Sequence, residues 1–183
     1  MKGATHAAIG ANMAWVPLLF GLTVQPWFTI VGAFAALLPD LDASESKIKN
    51  ITLGGRVAGI KVGFKPLAPL AMILSGIFGH RGALHSLSFV ILVAIGAGFL
   101  IPHFTLSLWL VVVFGYLSHL ILDSLTKSGV EFFWPYKKNF GLLPHWLRLH
   151  TGGFFDYLIM LIGFAGVILF LYYNFSNVPL PLF

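Results

Sequence analysis

The sequence predicts an all-α integral membrane protein with about five transmembrane helices and one short re-entrant or interfacial helix. Of its 183 residues, 58% are hydrophobic and only 9% are charged, a balance far outside that of soluble globular domains. Its apolar runs approach the roughly 20 residues that a helix needs to cross the hydrocarbon core of a bilayer. Residues 1–183 are therefore predicted to form a single membrane-embedded domain.

Five apolar segments supply the predicted spans. They are Thr5 to Leu22, Pro26 to Leu38, Ala83 to Ile101, Thr105 to Leu125 and Phe154 to Tyr173. The second segment reaches a spanning length only when the residues on both sides of it are included. A sixth stretch, Pro66 to Gly79, has the length typical of a re-entrant or interfacial element. Whether that stretch crosses the membrane decides the topology.

The basic residues favour one topology. They concentrate in two loops, with Lys47, Lys49, Arg56, Lys61 and Lys65 in the first and Lys127, Lys137, Lys138 and Arg148 in the second. Lys and Arg tend to remain on the cytoplasmic side of a membrane. Both loops can lie there only if the sixth stretch does not span. The sequence therefore predicts five spans and a cytoplasmic N-terminus.

The amino-acid composition limits the kinds of metal site and binding partner that the protein can have. The chain has no cysteine, which excludes thiolate metal sites, dithiol redox motifs and disulfides, so any metal must be bound by His and carboxylates. Lys and Arg exceed Asp and Glu by 11 to 6, yet the basic residues form no continuous stripe, and nucleic-acid binding is not expected. Attraction to an anionic bilayer explains the excess, so membrane lipids are the expected partners.

The five-span topology brings many of the ionisable residues to one place. Those that come to cytoplasmic helix ends, or to turns beside them, are His6, Asp40, Asp42, His80, His85, His119, Asp123 and Asp156. Ionisable side chains at membrane depth are functional candidates, and imidazoles and carboxylates are common ligands of divalent metals. These residues are therefore predicted to form one metal site at the cytoplasmic rim.

His119 and Asp123 form the pair whose spacing is most specific for metal binding among these residues. They occupy positions i and i+4 of a predicted helix, so their Cβ atoms are expected about 5–6 Å apart on one face. That arrangement suits two ligands of one metal ion. The alternative is a hydrogen-bonded pair that only joins two helices within the membrane.

Two acidic residues follow the second apolar segment. Pro39 interrupts the preceding helix, which leaves Asp40 and Asp42 in extended or turn geometry with both carboxylates able to reach one side. Carboxylate oxygens suit hard or borderline cations. The alternative is a solvated pair of acids at the end of a transmembrane helix.

A glycine-flanked turn, GHRGALHS, carries His80, Arg81 and His85. Glycine permits tight backbone geometry. Two His beside an Arg within an otherwise apolar region favour a binding site over a simple helix cap. Arg81 either binds a phosphoryl group bidentately or pairs with Asp40 or Asp42, and both roles stay open.

His6 and Asp156 are weaker signals individually. Each is a single ionisable residue near the start of an apolar segment, where Asp156 also suits a helix N-terminus and His6 a snorkelling position. His103 falls in a predicted outer connection and is excluded from the site. His145 and His150, in the second basic loop, remain candidate accessories.

Taken in order, these blocks resemble a known family. An early His is followed by LLPDLD, FGHRGALHSL, GYLSHLILDSLTKSGV with FFWP, and a glycine-rich approach to Asp156. From His6 to Asp156 the chain resembles the YdjM-like family of LexA-regulated, inner-membrane, metal-dependent hydrolases. The resemblance implies a bacterial inner-membrane protein whose metal ligands are the eight residues named above. The chain departs from the family pattern at Asp156, where Glu is usual, and at Leu84, where Thr is usual.

That family is also distantly similar to zinc-dependent phospholipase C and P1-type nucleases, in which an HxxxD pair binds clustered metals. His119 and Asp123 match that pair. The similarity implies two or three divalent ions, zinc or else manganese, and hydrolysis of a phosphoester in a phospholipid or lipid-linked phosphate. Arg81 would stabilise developing negative charge, Asp42 would be a catalytic carboxylate, and one of the pair Asp40 and Asp42 would bridge metals.

Two other function classes stay open at this point. A metal-ion or proton transporter would also place His and carboxylates within membrane helices. The predicted outer half, however, is nearly devoid of polar groups apart from His103. A structural membrane protein would use the same cluster only to lock helices together. The one-sided distribution of the ionisable residues argues against the transporter, and metal content would separate the hydrolase from the structural protein.

Overall fold

The computed structural model describes residues 1–42, 53–57, 60–64, 83–100, 105–136 and 138–176, with the side chains at 41–42, 53–57, 60–64 and 100 left undescribed. The α-helices among these residues are α1 (Gly3–Asn12), α2 (Phe28–Leu37), α3 (Leu87–Leu100), α4 (Leu106–Ser124) and α5 (Phe154–Ser176). Shorter 3-10 helices cover Met13–Phe20, Leu38–Asp42, Ala83–His85 and His145–Leu147. The predicted helical fold class is confirmed for these parts of the chain.

One element of the described chain is extended rather than helical. Strands β1 (Leu53–Val57) and β2 (Ile60–Phe64) pair antiparallel, with Leu53 opposite Phe64 and Val57 opposite Ile60. The sequence predicts only a basic loop for this segment, so the hairpin is an addition to the predicted fold. Its Val, Ile and Phe residues favour extended backbone, and only two residues separate the strands, which suits a tight hairpin.

Helix α1 gives way to 3-10 geometry partway along the first predicted span. Pro17 lies inside the 3-10 helix Met13–Phe20 and has no N–H to donate to the carbonyl four residues earlier. Gly21 then ends the helix with a φ of 67°, which glycine adopts without a steric penalty. The first predicted span is therefore helical over most of its length but is not one continuous α-helix.

Two described helices are long and apolar enough to cross a membrane, judged by length and composition: α4, with 19 residues, and α5, with 23. Helices α2 and α3 are apolar but shorter. The stretch Pro66 to Gly79, predicted to be re-entrant or interfacial, lies outside the described residues. The count of five spans therefore stays a prediction.

Against the rest of the described chain, helix α5 is buried along one narrow stripe. Its buried residues are Asp156, Gly163 and Phe170, which recur every seventh position. Its other faces carry exposed apolar side chains such as Leu161 and Ile168. A helix that is apolar on nearly every face but buried along one stripe suits a lipid environment.

Three glycines bring α1, α2 and α4 into close contact. A Cβ on Gly10 of α1 would lie 2.5 Å from the carbonyl oxygen of Gly32 in α2, and a Cβ on Gly115 of α4 would lie 2.9 Å from the same oxygen. These separations leave no room for a side chain, so the three backbones approach one another directly. Small residues at helix contacts are typical of membrane helix packing.

Asn12 connects α1 to α5. Its side-chain amide donates to the carbonyl oxygen of Ala8 within α1 and to that of Gly163 in α5, both at 2.7 Å. The indole N–H of Trp15 donates to the carbonyl oxygen of Gly166 at 3.3 Å. Side-chain hydrogen bonds of this kind join helices in apolar surroundings.

The apolar core lies at the end of the bundle where α1 ends and where α2 and α4 begin. It is formed by Ala14, Phe28, Leu108, Val111 and Phe170. A second apolar cluster lies between α3 and α4 and consists of Val90, Tyr116, Leu120 and Val130. The opposite end, where α1 and α5 begin and α2 and α4 end, holds the polar residues described below.

Replacing Gly32 by Ala is expected to destabilise the protein, because the new Cβ would overlap the carbonyl oxygen of Gly10. Overpacking of this kind costs about 1–3 kcal/mol, which lowers the Tm of a chain of this length by several degrees. Gly96→Ala in α3 is the matched control, since its Cβ would meet no atom within 4 Å. Thermal unfolding of both variants in one detergent measures the effect, and equal Tm values would contradict the proposed glycine contact.

Candidate metal centre

Five of the predicted ligands meet at the polar end of the bundle. They are His6 in α1, Asp40 in the 3-10 helix after α2, His85 before α3, and His119 and Asp123 in α4. Four of these side chains are buried and that of Asp40 is partly buried. The predicted pairing of His119 with Asp123 is confirmed by a separation of 3.5 Å between His119 Nε2 and Asp123 Oδ2.

The glycine contacts explain why two of the imidazoles meet. His6 lies one turn before Gly10 in α1, and His119 lies one turn after Gly115 in α4, so each His shares a helix face with its glycine. Because both glycines contact Gly32 of α2, the two His residues one turn away come together. Their rings stack with centroids 3.8 Å apart and an interplanar angle of 17°. The stacking therefore follows from the packing of the backbones.

A backbone carbonyl fixes the orientation of His119. Its Nδ1 lies 2.7 Å from the carbonyl oxygen of Ala36 in α2. A carbonyl oxygen only accepts, so Nδ1–H donates there and Nε2 of the neutral ring keeps a lone pair. That Nε2 lies 3.3 Å from His85 Nε2 and 3.7 Å from Asp40 Oδ1. A hydrogen bond that sets the tautomer in this way typically supports a metal-binding His.

Local hydrogen bonds hold His85 at the start of α3. Ser86 caps that helix, because its Oγ accepts the backbone N–H of Phe89 at 3.3 Å. Tyr116 of α4 donates its hydroxyl to the carbonyl oxygen of Leu84 at 2.5 Å. The residues on both sides of His85 are thus fixed, one by the cap and one by α4, which positions the imidazole between them.

The ligand atoms have the spacing that a divalent metal requires. Two sets each have ligand atoms within 4.8 Å of one another: His6, Asp40 and His119, and His85, His119 and Asp123. The facing His nitrogens and carboxylate oxygens are separated by 3.1 to 3.7 Å. Two ligands at zinc-binding distances on one tetrahedral ion would lie roughly 3.4 Å apart. The described donors therefore fit one or two such ions.

Unpartnered nitrogen atoms support the same interpretation. Within the described part of the chain, both ring nitrogens of His6 and Nδ1 of His85 are buried without a hydrogen bond. A buried polar atom without a partner costs about 1–3 kcal/mol. Coordination would remove that cost for a nitrogen that faces the site, as His6 Nε2 does at 3.1 Å from Asp123 Oδ1. The residues present therefore fit a bound metal.

Asp123 faces a different imidazole with each carboxylate oxygen. Oδ1 lies 3.1 Å from His6 Nε2, and Oδ2 lies 3.5 Å from His119 Nε2. The amino group of Met1 also contacts Oδ1. Carboxylates placed between two sets of ligands commonly bridge two metal ions. Asp123 is therefore the described residue best placed to bind two ions.

Asp156, predicted as a ligand, is not brought into either set. Its carboxylate accepts hydrogen bonds from Thr5 Oγ1 at 2.5 Å, from the Gly152 N–H at 2.6 Å and from the Lys2 N–H at 3.1 Å. These donors engage both oxygens. Asp156 therefore ties the start of α5 to the start of α1 and positions His6, the neighbour of Thr5. Sequence analysis did not single out Thr5.

Three predicted site residues have side chains that the structure does not describe. His80 and Arg81 lie outside the described residues. Asp42 ends the 3-10 helix Leu38–Asp42, but its side chain is among those left undescribed. The roles predicted for these three residues, as metal ligands or as groups that act on the substrate, therefore stay predictions.

A cavity of about 160 Å³ lies beside the site. It is lined by His85 and Asp123 and, from the segment after α4, by Ser128, Gly129, Val130, Glu131 and Asn139. The cavity residues that follow α4 were not among those predicted for the site. The polar run TKSGVE directly after the His119–Asp123 helix was the available signal. Asn139 reaches the cavity because Val130 pairs with Phe140, which no sequence pattern indicated.

Comparison with known proteins relates the chain to bacterial membrane proteins. YvsG of Bacillus subtilis (strain 168), an uncharacterized protein, is 33% identical over 129 residues, which cover 70% of this chain and 68% of that protein. The inner membrane protein YdjM of Escherichia coli (strain K12) is 36% identical over 124 residues, covering 63% and 54%. The inner membrane protein YbcI of the same organism is 30% identical over 143 residues, covering 72% and 66%.

The chain thus spans about half to two thirds of the length of these curated relatives. No solved structure matches it. The family model described as YdjM inner membrane protein matches residues 1–179, a range that includes every residue of the site. This chain therefore belongs to the YdjM inner membrane protein family.

Proposed function

We propose that this protein is a membrane-bound hydrolase that uses divalent metal ions, with zinc as the first candidate and manganese as the second. The observation that carries the proposal is the buried group of three imidazoles and two carboxylates, whose facing nitrogen and oxygen atoms lie 3.1 to 3.7 Å apart. Bound zinc lowers the pKa of a coordinated water to about 7 and so supplies a hydroxide nucleophile at neutral pH.

The five described donors are proposed to hold the ions. His119 belongs to both ligand sets, but its Nδ1 is bonded to a carbonyl, so it has one nitrogen left and can bind one ion. Two ions would therefore share Asp123, whose oxygens face different imidazoles. A third ion would need further ligands predicted from the sequence, which are Asp42 and His80. Both carboxylate oxygens of Asp156 are engaged by hydrogen bonds.

Arg81 and Asp42 are proposed to act on the substrate. Arg81 lies between two His residues in the block GHRGALHS, and a guanidinium at that position would bind phosphoryl oxygens and stabilise the negative charge that develops on them. Asp42 would be a catalytic carboxylate, and one of Asp40 and Asp42 would bridge metals. Both proposals rest on the sequence pattern.

The proposed substrate is the phosphoester of an amphipathic molecule such as a phospholipid or a lipid-linked phosphate. The cavity beside His85 and Asp123, at about 160 Å³, is smaller than the roughly 300–1,000 Å³ of sites that enclose drug-sized ligands. It would admit a head group but not the tails. The resemblance of His119 and Asp123 to the HxxxD pair of zinc-dependent phospholipase C and P1-type nucleases, which rests on sequence pattern alone, is a further reason to propose a phosphoester substrate.

The proposed location is the cytoplasmic face of a bacterial inner membrane, with five spans and a cytoplasmic N-terminus. The relatives YdjM and YbcI are named inner membrane proteins. Within the described helices, α1 and α5 begin at the polar end of the bundle, whereas α2 and α4 end there. Such alternating directions are what repeated crossings of a bilayer produce, and membrane lipids are the proposed partners.

The detergent-purified wild-type protein is expected to contain at least one equivalent of zinc or manganese. His119→Ala is expected to lose most of this metal, because His119 belongs to both ligand sets. His145→Ala is the matched control, since His145 is exposed in the connection between α4 and α5. Elemental analysis gives the metal content. A metal-free wild type whose stability is unchanged by His119→Ala would rule out the metal site.

Hydrolysis of at least one phospholipid or phosphodiester is expected when a substrate panel is screened with added Zn²⁺ or Mn²⁺. Asp123→Asn, which keeps the side-chain size but removes the anionic ligand, is expected to lower the rate by about 100-fold or more, and His145→Ala to leave it unchanged. The protein would instead be a transporter if no substrate is hydrolysed but reconstituted liposomes show a flux of zinc or protons, and if His119→Ala abolishes that flux.

A single cysteine at Val62 is expected to react with a membrane-impermeant thiol reagent only from the cytoplasmic side, because β2 lies in the first basic loop. The chain has no native cysteine, so the labelled position is unambiguous. Gln25→Cys, at the opposite ends of the helices, is the control and should label only from outside. Inverted and right-side-out vesicles give the two measurements, and outside labelling of Val62→Cys would overturn the topology.

A further inference from the structure

The connection between α4 and α5 contains a loop with exposed aromatic residues. Val130 and Phe140 pair through two backbone hydrogen bonds of 2.9 and 2.8 Å, and we call residues 130–136 and 138–140 the aromatic loop. Within it, Phe133 is 54% exposed and Tyr136 is 78% exposed. Exposed apolar groups that lie together mark surfaces for protein or membrane contact.

Contacts inside the aromatic loop keep its exposed residues next to one another. The Tyr136 N–H donates to the Phe133 carbonyl at 2.8 Å, and the Lys138 N–H donates to the Tyr136 carbonyl at 2.9 Å. The Phe133 ring packs edge-on against Phe140 with centroids 5.3 Å apart, and Lys138 Nζ lies 5.7 Å from the centre of the Phe140 ring. The loop therefore presents aromatic rings and a cation on one compact turn.

The base of the aromatic loop borders the cavity. Val130, Glu131 and Asn139 line the cavity together with His85 and Asp123 of the candidate metal centre. The exposed aromatic residues follow or precede these lining residues by only a few positions. Whatever surface covers the aromatic loop therefore also lies close to the cavity and to the metal centre.

The start of α5 indicates where the bilayer lies. Phe154 and Phe155, in the first turn of this helix, are 75% and 57% exposed, and the exposed apolar surface continues along α5 from there. The same turn contains Asp156, which bonds to Thr5 beside His6. The apolar surface of α5 thus begins at the level of the candidate metal centre.

We propose that the aromatic loop is a lipid-binding loop that inserts Phe133 and Tyr136 into the head-group region of an anionic bilayer. Aromatic rings of this type concentrate at membrane–water boundaries. The exposed Lys138 beside them complements anionic lipid head groups. Insertion sets the cavity at the membrane surface, where the polar part of a lipid can reach it. The proposal does not depend on hydrolysis or on the number of bound ions.

A spin label attached to Tyr136→Cys tests the insertion, since the chain has no other cysteine. The full-length protein is reconstituted in vesicles of phosphatidylglycerol and phosphatidylethanolamine. Collisions of the label with oxygen, which enters the bilayer, and with a water-soluble nickel chelate are compared. Thr151→Cys, an exposed polar position in the same connection, is the matched control, and Leu161→Cys in α5 is the hydrocarbon reference.

The label at 136 is expected to give an oxygen-to-nickel collision ratio several-fold higher than the label at 151 and lower than the label at 161. An equal ratio at 136 and 151 would show that the loop lies in water and would overturn the proposal. Dipolar broadening at 136 that reports a neighbouring label would also overturn it, because the loop would then contact a second copy of the chain.

The preference for anionic lipid is tested by composition and charge. In pure phosphatidylcholine the collision ratio at 136 is expected to fall towards that at 151. Lys138→Glu is expected to produce the same fall in the anionic vesicles, because it removes the attraction to the head groups. If neither the change of lipid nor Lys138→Glu alters the collision ratio at 136, the proposed preference for anionic lipid is wrong. Unaltered ratios at 161 in every sample confirm that the protein remains inserted.

Discussion

The close contact of α1, α2 and α4 at Gly10, Gly32 and Gly115 is the constraint on which the candidate site depends. Each glycine lies one helical turn from a group at the site: Gly10 from His6, Gly115 from His119, and Gly32 from the Ala36 carbonyl that accepts a hydrogen bond from His119. Because residues four apart share a helix face, backbone contact at the glycines forces the groups one turn away to face each other. Side chains at these three positions would separate the helices and so spread the ligands.

Burial gives the ligand set its electrostatic character. His119 Nε2 presents a lone pair because its Nδ1–H is bonded to the Ala36 carbonyl, and that lone pair faces the carboxylates of Asp40 and Asp123 at 3.7 and 3.5 Å. Acceptors that face one another away from water are unfavourable unless a proton or cation lies between them. The Met1 amino group supplies one positive charge, at Asp123 Oδ1. Imidazole nitrogens and carboxylate oxygens at this spacing also match the ligands of a divalent metal, so the packing that buries these groups favours a cation between them.

The sequence predicted those parts of the site that depend on local geometry. His119 and Asp123 share a face because they are four residues apart in one helix, which is a property of the sequence alone. The stacking of His6 on His119 depends instead on which helix faces meet, and no sequence pattern distinguishes the glycines that decide this from the other glycines of the apolar segments. Likewise, the cavity depends on the pairing of Val130 with Phe140, which is a long-range consequence of the fold.

Asp156 shows how a residue can serve the site without joining the ligand sets. Sequence order and family resemblance made it a predicted ligand, where the family pattern has Glu. In the structure its short side chain accepts hydrogen bonds from Thr5 and from the backbone of Lys2 and Gly152. These bonds fix the first turn of α1 against α5, and that turn carries His6, whose two ring nitrogens are buried without a hydrogen-bond partner among the described residues. The position of His6 is therefore set by Asp156 on one side and by the Gly10 contact on the other, which leaves the imidazole free to bind a metal.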